Sequence, residues 1–82
     1  MNMRVLVVDD ERIQRDTLAA ILSDNGYQVS TSENVSNAKN LILNSVFDLI
    51  LSDFKMPDGT GLDVAESARK YLPDAAIFIM TA

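Results

Sequence analysis

Three aspartates stand where short apolar runs stop. Asp9 and Asp10 follow Arg4-Val5-Leu6-Val7-Val8, and Asp53 follows Leu49-Ile50-Leu51-Ser52. Carboxylates brought to one place repel, so a cluster of them costs stability unless a cation offsets the charge. Mg²⁺ suits that role: it takes oxygen ligands at about 2.0–2.1 Å, binds one or two carboxylates, and keeps water or phosphate oxygens in its other positions. Each residue alone has a plainer reading. Asp9 or Asp10 would serve as a helix N-cap. Asp53 would be a turn residue, and Pro57 and Gly59 ordinary turn formers. Thr81 would be a strand-end hydroxyl, and Asp63 an acid favoured by a helix N-terminus. Whether the three acids act together depends on whether the fold gathers them.

Composition narrows the chemistry. The 82 residues allow one domain at most, and a chain this short buries only about 60% of its unfolded surface, so marginal stability is expected. Apolar residues make up 48% and charged residues 23%, proportions of a globular chain rather than a disordered one. Twelve acidic against seven basic residues give a net charge of −5, which repels a polyanion, so direct nucleic-acid binding by this segment is not expected. With no histidine, the chain cannot itself donate from a phosphohistidine or use a histidine base. With no cysteine, disulfides and thiolate metal sites are excluded. No apolar run is long enough for a transmembrane helix. The start, Met1-Asn2-Met3-Arg4, lacks the features of a signal peptide. A cytoplasmic location and no membrane partner are the expectation.

The elements must be such as to position the acids. Residues 4–8 form a β-branched run without polar alternation, which suits a strand buried on both faces. Helical spacing follows over 12–24, with Ile13, Thr17, Leu18, Ile21 and Leu22 on one face. Asn25-Gly26 ends it, with Gly26 fit for the left-handed position after a helix. Residues 27–31 alternate as an edge-like strand. Residues 35–45 read as a helix with Ala38, Leu41, Ile42 and Ser45 inward, capped by Asn34 or Ser36. Residues 47–52 give a second central strand, and 56–61 (Met-Pro-Asp-Gly-Thr-Gly) a turn-rich loop. Residues 62–72 form a third helix with Leu62, Ala65, Ala68 and Leu72 inward, stopped before Pro73. Residues 75–80 form a fourth strand. There is no repeat or linker.

The β-α-β-α-β-α-β order predicts an α/β, flavodoxin-like, doubly wound parallel sheet with strand order 2-1-3-4 and right-handed crossovers. In that order the first and third strands are neighbours. Asp9, Asp10 and Asp53 would then meet at the carboxyl edge of the sheet.

The joint pattern resembles the receiver domain of two-component response regulators. The matching residues are Val7-Val8-Asp9-Asp10-Glu11, the stretch from Leu49 to Leu62 with Asp53-Phe54-Lys55-Met56-Pro57-Asp58-Gly59, and Phe78-Ile79-Met80-Thr81-Ala82. The resemblance implies that Asp53 is the phosphoacceptor for a sensor histidine kinase. It implies Mg²⁺ held directly by Asp10 and Asp53, by Asp9 through water or a hydrogen bond, and by the backbone carbonyl of Lys55. It further implies that the Thr81 hydroxyl and the Ala82 amide contact the phosphoryl group, and that the domain signals rather than turning over substrate. Its faint likeness to regulators of transcription suggests transcription as an output.

One departure stands out. The family places a lysine after a fifth strand, and Lys39, Lys55 and Lys70 do not stand in the matching place. Residues 1–82 are therefore expected to be a partial receiver domain, without the fifth strand and last two helices. Residues 76–80 would then be an exposed apolar edge prone to self-association or element exchange. Three alternatives compete. A haloacid-dehalogenase-like phosphatase would need a second acid where Lys55 stands. A nucleotide-binding turn would need glycine where Asp9-Asp10-Glu11-Arg12 stands. A phosphorylation-independent interaction module with the receiver fold remains open.

Overall fold

The computed structural model describes residues 2–81. The first strand, β1 (Arg4–Val8), has Val5, Leu6, Val7 and Val8 all fully buried. Unbroken burial needs cover on both faces, and the helices supply it. Helix α1 (Arg12–Asp24) packs on β1 and on β2 (Gln28–Ser32). Helices α2 (Val35–Asn44) and α3 (Gly61–Tyr71) pack against each other and bury Leu6, Val8 and Ile50 beneath Val35, Ala38, Ile42, Val64 and Ala68. Strand β3 (Leu49–Asp53) carries Ile50, and β4 (Lys55–Met56) pairs antiparallel with β5 (Gly59–Thr60) in a small hairpin. The last strand, β6 (Ala76–Met80), completes a four-stranded sheet.

The sheet order is β2-β1-β3-β6 with every pairing parallel. This is the expected 2-1-3-4 order, β6 being the fourth long strand. Val8 lies beside Ser52, and Asp53 beside Met80. The ends of β1, β3 and β6 therefore share one edge of the sheet.

Several local expectations shift. Strand β2 starts one residue late because the Tyr27 N–H donates to the Leu22 carbonyl at 3.1 Å, closing α1, while Gly26 takes φ 91°. Asn34, not Ser36, caps α2, accepting the Asn37 N–H at 2.7 Å. Helix α3 begins one residue early, because Thr60 and Asp63 form a capping box. That start places Gly61, Val64, Ala65 and Ala68 inward and turns Leu62 outward, correcting its assignment to the core. Ile13 and Ile21 of α1, expected on the inward face, are exposed, while Leu18 and Leu22 are half-buried. The residues 56–61 are not a plain loop but hold the β4–β5 ladder.

On the α1 side, cover is incomplete over β3 and β6. Leu49 and Leu51 are only half-buried there, and Phe78, in register with Leu51, is 59% exposed.

Candidate functional site

The Asp9 side chain is wholly buried just past the end of β1. Its N–H donates to the Ser32 carbonyl at 3.0 Å, extending the β1–β2 ladder, and Oδ1 accepts the Glu11 N–H at 2.9 Å. Oδ2 is buried and accepts no hydrogen bond among the described residues. The N-cap of α1 is Glu11, and its side chain makes no capping bond. The plain reading of Asp9 or Asp10 as that cap therefore does not hold, although Asp9 still takes one amide of the turn. Arg15 Nη1 donates to the Asp9 carbonyl at 2.9 Å and braces the turn from α1.

Asp53 is the last residue of β3. Its Oδ1 accepts the Phe54 N–H at 2.9 Å, and the same N–H reaches the Met80 carbonyl at 3.0 Å. Gly61 is pressed against this strand end: a Cβ there would lie 2.7 Å from the Asp53 carbonyl oxygen, too close to fit without movement. The first turn of α3 thus supports Asp53 from behind.

One carboxylate oxygen from each of Asp9, Asp10 and Asp53 lies within 4.8 Å of the others. They run from buried (Asp9) through half-buried (Asp53) to exposed (Asp10). Burial pushes the Asp9 carboxyl above the usual carboxylate range, and the charges of Asp53 and Asp10 add to that; the Glu11 N–H and Arg15 oppose it. A buried carboxylate oxygen without a partner, facing two more carboxylates, is what a hard divalent cation satisfies, and an all-oxygen donor set matches Mg²⁺.

An open cleft of about 280 Å³ sits at this edge, lined by Asp10, Glu11, Gln14, Asp53, Lys55, Met80 and Thr81. Lys55 and Thr81 line this cleft together with Asp10 and Asp53. Ala82 lies outside the described residues. Lys39 and Lys70 line a separate cleft between α2 and α3. Gln14 and Arg15 were not singled out from the sequence. Gln14 stands in the first turn of α1, four residues after Asp10, and lines the same cleft.

Comparison with known proteins agrees with this geometry. The model of the response regulator receiver domain family matches residues 5–82. The chain belongs to that family. As a receiver-family chain it is 39% identical over 82 residues to the response regulator MprA of Mycobacterium sp. (strain KMS), covering 100% of this chain and 36% of that protein. It spans between 16% and 36% of the length of curated relatives it matches. Among solved structures, TrrA of Thermotoga maritima in complex with Mg(2+)-BeF superposes with a TM-score of 0.90 at 40% identity, over 100% of this chain and 70% of that one. A response regulator protein of Burkholderia pseudomallei with a phosphorylated aspartic acid, a calcium ion and citrate superposes with a TM-score of 0.92 at 30% identity, over 98% of this chain and 47% of that one.

Proposed function

We propose that Asp53 accepts a phosphoryl group from the phosphohistidine of a sensor kinase, and that Asp9, Asp10, Asp53 and the backbone carbonyl of Lys55 hold Mg²⁺ beside it. The observation that carries this reading is the convergence of three carboxylates with an unpartnered, buried oxygen on Asp9. The metal-bound and phosphorylated aspartate states named for TrrA and the Burkholderia protein support it.

The chain's own residues account for the acceptor chemistry. The Phe54 N–H holds Asp53 Oδ1, which fixes the side chain and leaves Oδ2 to attack. The new bond runs from that oxygen to phosphorus, and the bond from phosphorus to the histidine nitrogen breaks. The imidazole leaves with the electron pair and is protonated. When bound, the ion neutralises the acid cluster and the phosphoryl oxygens, so that two anions can meet. Asp10 would hold the ion directly, and Asp9 through water or a hydrogen bond. The product carries roughly two negative charges. The Thr81 hydroxyl donates to its oxygens, which biases the surface around β6 between two states.

On this reading residues 1–82 supply the acceptor part of a cytoplasmic regulator whose output is an activity such as transcription. No described helix is long and apolar enough to cross a membrane. The chain makes a stoichiometric phosphoprotein rather than turning over substrate. The exposed Phe78 on β6 favours a second property, association of the 82-residue chain with itself through that strand.

Intact mass after treatment with a small-molecule phosphodonor tests the acceptor role. A gain of roughly 80 Da, one phosphoryl group, is expected with Mg²⁺ and is lost with EDTA or in Asp53→Ala. Full labelling of Asp53→Ala would contradict the assignment.

A further inference from the structure

The hairpin that follows the acceptor is tied to a helix more than twenty residues earlier in the chain. The Asp58 carboxylate accepts the Val35 N–H through Oδ1 at 2.8 Å and the Ser36 N–H through Oδ2 at 2.9 Å. These are two of the orphan donors at the start of α2, and Asn34 takes a third, from Asn37, at 2.7 Å. Asp58 therefore acts as a second cap supplied from outside the helix. The next residue is Gly59 at φ 154°, where a Cβ would fall 2.6 Å from Asp63 Oδ2 and 3.2 Å from Val35 Cγ2, so the turn admits no side chain there without movement. Asp58 lies in the turn of the β4–β5 hairpin, in which Lys55 stands opposite Thr60 and Met56 opposite Gly59.

The other end of the tie also reaches the site. The Ser32 hydroxyl donates to the Asn34 carbonyl at 2.9 Å, and the Ser32 carbonyl accepts the Asp9 N–H at 3.0 Å. A cleft lined by Asp10, Glu33, Asn34, Pro57 and Asp58 opens along the same edge. The hydrogen bonds thus join the Asp9 turn, the start of α2 and the Lys55 hairpin into one bracket around the acids.

We propose that Asp58 is a positioning residue for the cation site, holding the hairpin that carries the Lys55 carbonyl at a fixed distance from Asp9 and Asp10 by clamping it to the N-terminus of α2. The inference rests on the acceptor-site reading above and extends it. By linkage, an ion that needs the clamped hairpin must in turn strengthen the clamp.

The test is a Mg²⁺ titration of the 82-residue chain, read by Mg²⁺ affinity and by amide hydrogen exchange at Val35 and Ser36. In the wild type, Mg²⁺ slows exchange at both amides. Asp58→Ala weakens Mg²⁺ binding by about fivefold or more, the low end of ordinary coupling between sites, and abolishes the slowing. Asp58→Asn keeps an acceptor oxygen and falls between; it decides the matter if the alanine variant does not fold. Asn44→Ala removes the exposed Asn44–Asn40 hydrogen bond at the far end of the same helix and leaves Mg²⁺ affinity unchanged. Wild-type affinity in Asp58→Ala, or equal weakening in Asn44→Ala, overturns the clamp while leaving the acceptor reading standing. No Mg²⁺ binding by the wild type overturns both.

Discussion

Asp9 and Asp58 are carboxylates held in opposite electrostatic states. Asp9 is raised above its ordinary range by burial and by its acidic neighbours, so the folded chain holds its proton more tightly than the unfolded chain does. Stability from this group is present below the ordinary carboxylate range and is lost as pH rises through the raised value. Asp9→Asn should therefore stabilise the metal-free chain at neutral pH, by about 1–3 kcal/mol if the full cost of an unsatisfied buried acceptor is relieved. The gain should vanish in acid, and thermal melts across pH will read it. Asp58 is lowered by the Val35 and Ser36 amides. Its contribution is present above the ordinary carboxylate range and is lost as pH falls through the lowered value, so Asp58→Asn should cost stability at neutral pH and little in acid. Gly61→Ala should destabilise by about 1–3 kcal/mol through overpacking, because the atom in its way is backbone, the Asp53 carbonyl oxygen; a denaturant midpoint checks this. Of these residues, the sequence marked the three clustered acids by their places after apolar runs. Asp58 stands in the sequence only as one residue of the turn-rich stretch 56–61, because nothing local announces hydrogen bonds to residues 35 and 36.

At the scale of elements, apolar runs and helical spacing were enough to give the order of long strands and helices. β1 was legible because its run has no polar break, and the structure buries Val5 to Val8 completely. Boundaries moved where a hydrogen bond outside the hydrophobic pattern decided them. The start of α3 is the main case: Thr60 Oγ1 accepts the Leu62 N–H at 3.2 Å, and Asp63 Oδ2 accepts the Thr60 N–H at 2.9 Å. The Thr60-Gly61-Leu62-Asp63 spacing carries that signal, whereas the turn formers Pro57, Gly59 and Gly61 point to a loop that runs to residue 61. The shift by one residue turns Leu62 outward and seats Gly61 against β3. Thr60→Ala should cost about 0.5–2 kcal/mol, the usual loss of a helix N-cap. It should also loosen Asp53, seen as faster amide exchange at Phe54 than a surface alanine elsewhere on α3 produces.

At the scale of the molecule, the parallel sheet explains why distant acids meet. The β2-β1-β3-β6 order sets β1 beside β3, so residues 9–10 and 53 share an edge despite the separation of more than forty residues between them in the chain. The same sheet leaves the α1 side of β3 and β6 thinly covered, with Phe78 exposed at the rim. The 82-residue chain should associate with concentration in sedimentation, and Phe78→Lys should shift it toward monomer, since charged side chains blunt strand edges. The sequence pointed to this edge through the apolar run at 76–80, but not to the accompanying exposure of Ile13 and Ile21, which depends on how α1 sits on β1 and β2. The gathering of Asp9, Asp10 and Asp53 about one divalent ion is tested most directly by following backbone amide shifts during a Mg²⁺ titration. The arrangement predicts one saturable site, with shifts concentrated at residues 9–11, 53–56 and 81, and their loss in Asp10→Asn. Shifts that never saturate, or that scatter over the acidic surface with residues 9–11 and 53–56 unmoved, would contradict it.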